Sequence, residues 1–244
     1  MLDTTNISTN TDTNTTTILS FSGGKDSTGL FFMLLERGIS FEAVFFDGGW
    51  EFPQMYEHLA RVEELGGKKI TILRENFDYF AAHHTYTTRQ GEKRREYGWP
   101  SFRRRWCTRI KTSAINGYVR KNQITKMLLG IAFDEQHRIR RSIRPGVYYP
   151  LVEWRVTEAD ALAYCKRLGF DWGGLYEHFS RVSCFCCPLK GLHDFRILYD
   201  HFPDLWNRML NLDDQINPNF GFYKRETVHA LDCRFRSTSG KLSF

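Results

Sequence analysis

Short apolar runs alternate with amphipathic stretches along most of the chain, and that alternation constrains the fold more than any other feature. Thr17–Phe21, Ala43–Phe46, Lys69–Leu73 and Lys126–Ile131 have the length and composition of strands. Ser27–Arg37, Gln54–Leu65, Thr112–Lys121 and Thr157–Leu168 carry apolar residues at helical spacing. Parallel strands need long crossovers, which these helices supply, so the pattern predicts an α/β fold with an open parallel sheet flanked by helices. Stop signals agree: Gly38 follows the first helix and Gly66-Gly67 the second. "VTEADALAYCKRLGF" opens with Thr157 and Asp160 at capping-box spacing and closes at Gly169. An α/β domain is expected over 17–168 and a Cys-rich, mainly helical region over 169–244, with a further helix at Pro203–Gln215.

The first 16 residues are polar and repetitive, which predicts a disordered tail. They lack the basic flank and apolar centre of a secretory signal, and no run of 18 apolar residues occurs, so a cytoplasmic protein without membrane contact is expected.

In "ILSFSGGKDSTG", Ile18–Gly29, the first strand leaves through Ser22-Gly23-Gly24 and a helix begins at Asp26-Ser27. Glycines let backbone approach an anion, and a helix start offers free N–H groups and the positive end of the dipole. Hydroxyls at Ser22, Ser27 and Thr28 add donors. The stretch therefore has the makings of a phosphate cradle, although neither the Walker nor the G-x-G-x-x-G pattern fits. A Gly-Gly turn before an Asp-Ser cap is also an ordinary structural connection.

The formal net charge is +6, and the basic residues are clustered. Lys93, Arg94 and Arg95 are followed by Arg103, Arg104, Arg105, Arg109 and Lys111, then by Arg138, Arg140, Arg141 and Arg144. Such clusters form either a solvated face or a surface for phosphates. The segment 93–111 interleaves them with Tyr97, Trp99, Phe102 and Trp106, aromatics that could stack on bases, so it is the candidate nucleic-acid surface.

Of six cysteines, Cys184 and Cys187 form C-x-x-C directly before Pro188, a spacing that lets two thiolates share a metal. Cys107 follows three arginines, and cationic neighbours favour a thiolate. Iron–sulfur, zinc and plain buried thiols all remain open from spacing alone. A shared centre requires the C-x-x-C loop to return to the segment before Thr112. Cys165 lies with Ala161, Leu162 and Leu168 on one helical face and reads as core.

Five motifs in order carry a family resemblance. Ser22-Gly23-Gly24-Lys25-Asp26-Ser27 resembles the S-G-G-x-D-S pyrophosphate (PP) loop of the adenine-nucleotide α-hydrolases. "FFDGGWEFPQMYEHL" is similar to the D-T-G-x-x-F-P-E-T segment of the phosphoadenosine phosphosulfate (PAPS) reductase family; Asp47 and Pro53 match, Gly48 replaces Thr and Gln54 replaces Glu. "RWCTRIKT", "GIAFDEQHRIRR" and "SCFCCPL" resemble that family's R-W-C-T-x-x-x-K, G-x-R-x-D-E-S-x-x-R and G-C-x-x-C-P stretches, with no Arg at Ala132 or Phe133.

The resemblance implies that Ser22, Gly23, Gly24, Lys25, Asp26 and Ser27 hold nucleotide phosphates. Gly130 would leave room for the nucleotide, and Asp134, Glu135 and Arg138 would line the site. Asp47 and Lys25 are the candidate catalytic residues, Asp47 with loop capping as its structural alternative. The implied cofactors are ATP or an adenine sulfonucleotide, Mg²⁺, and a 4Fe–4S cluster (alternatively Zn²⁺) on Cys107, Cys184 and Cys187, with Cys186 or Cys233 as candidate fourth ligand. The implied activity is adenylation with pyrophosphate release and sulfur transfer to a nucleotide or nucleic acid, as in the DNA-phosphorothioation sulfurtransferases, with a sulfur donor protein as a further partner. A sulfonucleotide reductase and a non-catalytic binding module are the alternatives. The reductases' C-terminal E-C-G-x-H is missing here: the last cysteine stands in "ALDCRFRSTSGKLSF".

Overall fold

In the computed structural model of the protein, the described residues are 16–95, 97–141, 146–217 and 219–239; the expected tail lies outside them except for Thr16. The first part of the chain runs β1 (Thr17–Phe21), α1 (Lys25–Glu36), β2 (Glu42–Asp47), α2 (Pro53–Gly66), β3 (Ile70–Arg74), α3 (Phe77–Ala82), β4 (Thr85–Thr87) and β5 (Lys93–Arg95). It continues through α4 (Trp106–Lys121), β6 (Lys126–Leu129), a 3-10 helix (Phe133–Arg141), β7 (Val147–Tyr148), α5 (Pro150–Glu153), α6 (Glu158–Arg167), α7 (Leu175–His178), α8 (Leu192–His201), α9 (Pro203–Asp213) and α10 (Val228–Ser239).

The expected open sheet is present, in the order β3-β2-β1-β6-β7. β1 is parallel to both β2 and β6, with Leu19 opposite Ala43 on one side and Leu128 on the other. Ile18, Leu19 and Phe21 are almost wholly buried, as a central strand covered on both faces requires. Strand order reverses about β1, so the carboxyl ends of β1 and β6 form a switch point, the usual ligand position in such sheets. Ser22 and Gly130 follow those two ends.

α4 starts at Trp106, six residues ahead of the expected Thr112. Between Asn76 and Arg105, where the sequence shows no clear periodicity, lie α3 and the hairpin β4–β5, whose three-residue strands are too short and polar to show one.

The chain divides into two compact units, each discontinuous in sequence. The first comprises the residues through Asp47, Pro53–Leu73 and Thr112–Glu177; the second comprises Gly48–Phe52, Arg74–Lys111 and the residues from His178 onward. In the first, Phe21, Phe31, Phe32 and Phe41 pack at ring separations of 5.1–5.7 Å. Gly29 lets α6 approach α1, since a Cβ there would already lie 3.5 Å from that of Ala161. The second is built on indoles: Trp50 packs against Trp99 and Trp106 at 5.8 and 5.7 Å. Each buried indole N–H is satisfied: Trp50 donates to Asp78, Trp99 to Asp213, Trp106 to the Gly98 carbonyl and Trp206 to Asp232. Among the described residues no helix is long and apolar enough to cross a membrane.

Candidate functional site

The loop Ser22–Ser27 is shaped by its own hydroxyls. Ser27 Oγ donates to the Gly24 carbonyl (3.0 Å) and accepts from the Ser22 N–H (3.2 Å). Thr28 Oγ1 donates to the Gly23 carbonyl (3.3 Å). Gly23 has φ +76°, the left-handed region that favours glycine, and a Cβ there would lie 2.4 Å from the Met55 sulfur, which would have to move. Among the described residues, the N–H groups of Gly23, Gly24, Asp26 and Ser27 have no acceptor, whereas the Thr28 N–H already bonds the Gly24 carbonyl. Four unpaired amides at the start of a 12-residue helix are free donors, an arrangement that suits an anion. Gly130 serves this loop from below: a Cβ there would meet Ser27 N and Cα at 2.9 Å. The room it leaves is taken by the loop backbone itself.

Lys25 is buried, and its ammonium lies 2.6 Å from Glu158 Oε1 and 3.9 Å from Asp26 Oδ2. Ligand oxygens of Asp26, Glu135 and Glu158 all fall within 4.8 Å of one another. Burial, reinforced by Glu158 and Glu135 against the opposing Lys25, pushes the Asp26 carboxyl up to about 6. Its Oδ1 is buried without a hydrogen-bond partner. Arg138 pairs with Glu135 one turn away, and Asp134 Oδ1 accepts the Glu158 N–H at 3.1 Å, fixing the start of α6. Asp47 ends β2, buried, and accepts from the Tyr56 hydroxyl at 2.9 Å.

Sequence reasoning missed Glu158, Trp172, Tyr176 and His58. Trp172 Nε1 donates to the Gly23 carbonyl (2.7 Å), and Tyr176 Oη accepts the Lys25 N–H (2.8 Å). His58 stacks on Trp172 with centroids 4.7 Å apart and meets Thr28 Oγ1 at 2.9 Å. Nothing local marks these residues, because each reaches the loop from a distant part of the chain.

Cys107, Cys184, Cys186 and Cys187 all belong to the second unit. They sense one another: Cys187 raises the Cys107 thiol, and Cys186 and Cys187 raise that of Cys184. Cys107 and Cys187 likewise act on Cys186. Burial is the largest cause in all three cases and holds these thiols above their ordinary range. For Cys107 this corrects the expectation of an arginine-favoured thiolate: Arg103, Arg104 and Arg105 are exposed, none of them figures among the causes of its shift, and burial decides. Cys184 Sγ donates to Glu51 Oε1 at 3.5 Å, with Lys111 opposing the rise in its pKa. Cys233 is exposed on α10, and Cys165 is core as expected, donating to the Lys25 carbonyl at 3.4 Å. Among the described residues no three cysteine sulfurs lie mutually within 4.8 Å. One tetrahedral zinc would draw its sulfurs to roughly 3.8 Å of each other, given Zn–S bonds of about 2.3 Å. A multi-iron cluster holds its sulfurs farther apart.

In the basic segment, Arg103, Arg104, Arg105 and Arg109 are exposed, as is Phe102 at 78%. Trp99 and Trp106 are buried in the indole core, which removes them from the set able to stack on bases. Tyr97 is half-buried, stacked on Trp106 at 5.5 Å, with the Arg109 guanidinium 5.5 Å from its ring.

Residues 16–190 match the phosphoadenosine phosphosulfate reductase domain. The chain is 27% identical over 210 residues to the uncharacterized protein MJ0066 of Methanocaldococcus jannaschii, covering 80% of this chain and 41% of that protein. It is 22% identical over 224 residues to the uncharacterized protein MJ0973 of the same organism, covering 87% and 50%. The chain thus spans half or less of the length of these relatives. The U34-tRNA thiolase NcsA from Methanococcus maripaludis, solved with its 4Fe–4S cluster, superposes with a TM-score of 0.47 at 14% identity, covering 95% of this chain and 82% of that one.

Proposed function

The chain belongs to the phosphoadenosine phosphosulfate reductase domain family, and from that premise we propose that it is an ATP-dependent enzyme of sulfur transfer to a nucleotide or nucleic acid. The observation that carries this reading is the Ser22–Ser27 loop, whose unpaired amides at the start of α1 suit the phosphates of an adenine nucleotide. The carboxylates of Asp26, Glu135 and Glu158 suit Mg²⁺: they are hard oxygen ligands, mutually close, and Asp26 Oδ1 lacks any other partner. Lys25 and Arg138 balance their charge, Lys25 through Glu158 and Arg138 through Glu135. Asp47, with Tyr56 holding one oxygen, orients the acceptor or a bound water.

An acceptor carbonyl or hydroxyl oxygen attacks the α-phosphorus, the α–β anhydride bond breaks, and pyrophosphate leaves. A sulfur nucleophile then displaces AMP from the activated acceptor. Loop amides and Lys25 stabilise charge on the phosphate oxygens in the first step. Cys107, Cys184 and Cys187 are the thiolates offered to a 4Fe–4S cluster, with Zn²⁺ as the alternative, and Cys186, which interacts with Cys107 and Cys187, is the better-placed fourth thiol. Those thiolates would hold the cluster, which would supply iron able to carry the sulfur to be transferred. Exposed arginines of the 103–109 stretch suit a polyanionic acceptor.

The test is anaerobic purification with iron, sulfide and zinc analysis, followed by pyrophosphate release from ATP with tRNA, DNA and nucleoside acceptors. Iron-loaded protein with acceptor-dependent pyrophosphate release supports the reading. Protein that binds no adenine nucleotide overturns it.

A further inference from the structure

We propose that Tyr176 is part of the phosphate site: its phenol donates a hydrogen bond to the nucleotide phosphate that the Ser22–Ser27 loop holds. The inference rests on the loop reading above and adds a residue to it from outside the loop motif.

The Tyr176 oxygen accepts the Lys25 N–H at 2.8 Å, so one amide of the anion seat is already engaged by the phenol. The phenol proton itself has no acceptor among the described residues. A hydroxyl that accepts from an amide is polarised into a better donor, so the amide's pull is relayed through the phenol. Burial keeps the phenol protonated across the working pH range. No side chain separates it from the loop: a Cβ on Gly24 would itself stand 3.5 Å from the Tyr176 oxygen.

The turn that delivers Tyr176 is built at a cost. Trp172, Gly173 and Gly174 have φ of 54°, 59° and 78°, three left-handed residues in succession, the first of them a tryptophan. A Cβ on Gly173 would lie 2.7 Å from Gln54 Cγ, so the turn packs tightly on α2. What this conformation achieves is visible at both ends: the Trp172 indole bonds the Gly23 carbonyl, and its ring meets that of Tyr176 edge-on at 4.8 Å and 84°. The strained turn therefore fixes the phenol relative to the loop through two separate contacts.

Tyr176→Phe removes the hydroxyl and keeps the ring contact with Trp172, so the melting temperature should change little. Calorimetric titration with ATP, inorganic pyrophosphate and adenosine then reads the role. A loss of roughly tenfold in affinity for ATP and pyrophosphate, with adenosine unchanged, is expected. Equal losses for all three ligands would mark Tyr176 as a merely structural residue and overturn the proposal. Unchanged or tighter ATP binding would show that the phenol only fills the seat, which also overturns it. Wild-type protein that binds none of the three overturns the loop reading itself, an outcome distinct from a failure of Tyr176 alone.

Discussion

The Lys25 ammonium is held 2.6 Å from Glu158, a carboxylate 133 residues away in sequence. A phosphate approaching the loop meets a lysine already engaged and three carboxylates grouped beside it. Without a divalent cation, those carboxylates repel the nucleotide and compete for Lys25. Glu158→Gln should therefore tighten ATP binding several-fold in the presence of EDTA. With Mg²⁺ the advantage should vanish or reverse, because a metal ligand has been lost. Calorimetry under both conditions checks this; a Glu158→Gln effect of the same sign and size with and without Mg²⁺ would remove Glu158 from the metal site.

Two glycines of the loop region should differ in what their substitution costs. Gly130→Ala drives a Cβ to 2.9 Å from Ser27 backbone atoms, which cannot swing aside as a side chain would. A loss of about 1–3 kcal/mol of stability is expected, with weaker nucleotide binding as the loop shifts. Gly24 has φ −73°, open to any residue, and its nearest neighbour beyond the loop is the Tyr176 hydroxyl. Gly24→Val should keep the fold and lose ATP, since its methyls enter the anion seat. Urea midpoints and ATP titration separate the two.

His58 is buried between Trp172 and Thr28, and burial lowers its pKa from 6.5 to about 4. The folded protein holds it neutral while the unfolded chain protonates it near 6.5. Stability from this residue is thus complete above that pH and is lost as pH falls toward about 4, some 3 kcal/mol (about 1.4 per unit) over the whole window. Denaturant midpoints at pH 7.5 and 5 should differ accordingly, and His58→Gln should flatten the dependence. An equal slope in the variant would assign the acid sensitivity to other groups.

What could be read from the sequence was local. The strand, the Gly-Gly turn and the helix start lie within 12 residues, and Asp47, which follows the apolar run Ala43–Phe46, is placed at the end of β2 by the family resemblance. The C-x-x-C pair and Cys107 were found by residue type and spacing. Glu158, Trp172 and Tyr176 were not, because they reach the loop across 133, 149 and 151 residues. Their only local traces are a capping box, in which Glu158 is merely the residue after the cap, and a Trp-Gly-Gly that reads as an ordinary turn. Trp99 and Trp106 misled for the converse reason: composition placed them among arginines, while their faces belong to the core.

The exposed arginines of the second unit should give salt-dependent binding of nucleic acid. Arg103, Arg104, Arg105 and Arg109 are exposed, and so is the Phe102 ring. Replacing Arg103 and Arg105 by Ala should lower affinity for tRNA or single-stranded DNA and reduce the slope of log K against log salt by roughly 1.5. Phe102→Ala should weaken single-strand binding by about 1–3 kcal/mol with no change in that slope. If wild-type protein shows no binding at about 50 mM salt, the acceptor is a small molecule.

Sulfite release from PAPS should be absent, despite the family. Reductive cleavage in the reductases uses a C-terminal cysteine on E-C-G-x-H, where the thiolate attacks the sulfur and a second thiol resolves the product; such a nucleophile needs mobility and a lowered pKa. Cys233 lacks that mobility. It lies within α10, a 12-residue helix, exposed beside Leu231, Asp232 and Phe235, which are buried. The helix is tied down by the Trp206 indole on Asp232 at 2.9 Å and by packing of Phe235 on Trp206 at 5.5 Å. Arg236 pairs with Asp232 at 2.8 Å and Arg234 with Glu226 at 3.6 Å, further contacts of the same helix. Bringing Cys233 to a substrate would require unwinding a packed helix. Sulfite measured with PAPS and thioredoxin or glutathione, for wild type and Cys233→Ser, should stay at background in both. Robust release that depends on Cys233 would replace the sulfur-transfer reading with a reductase.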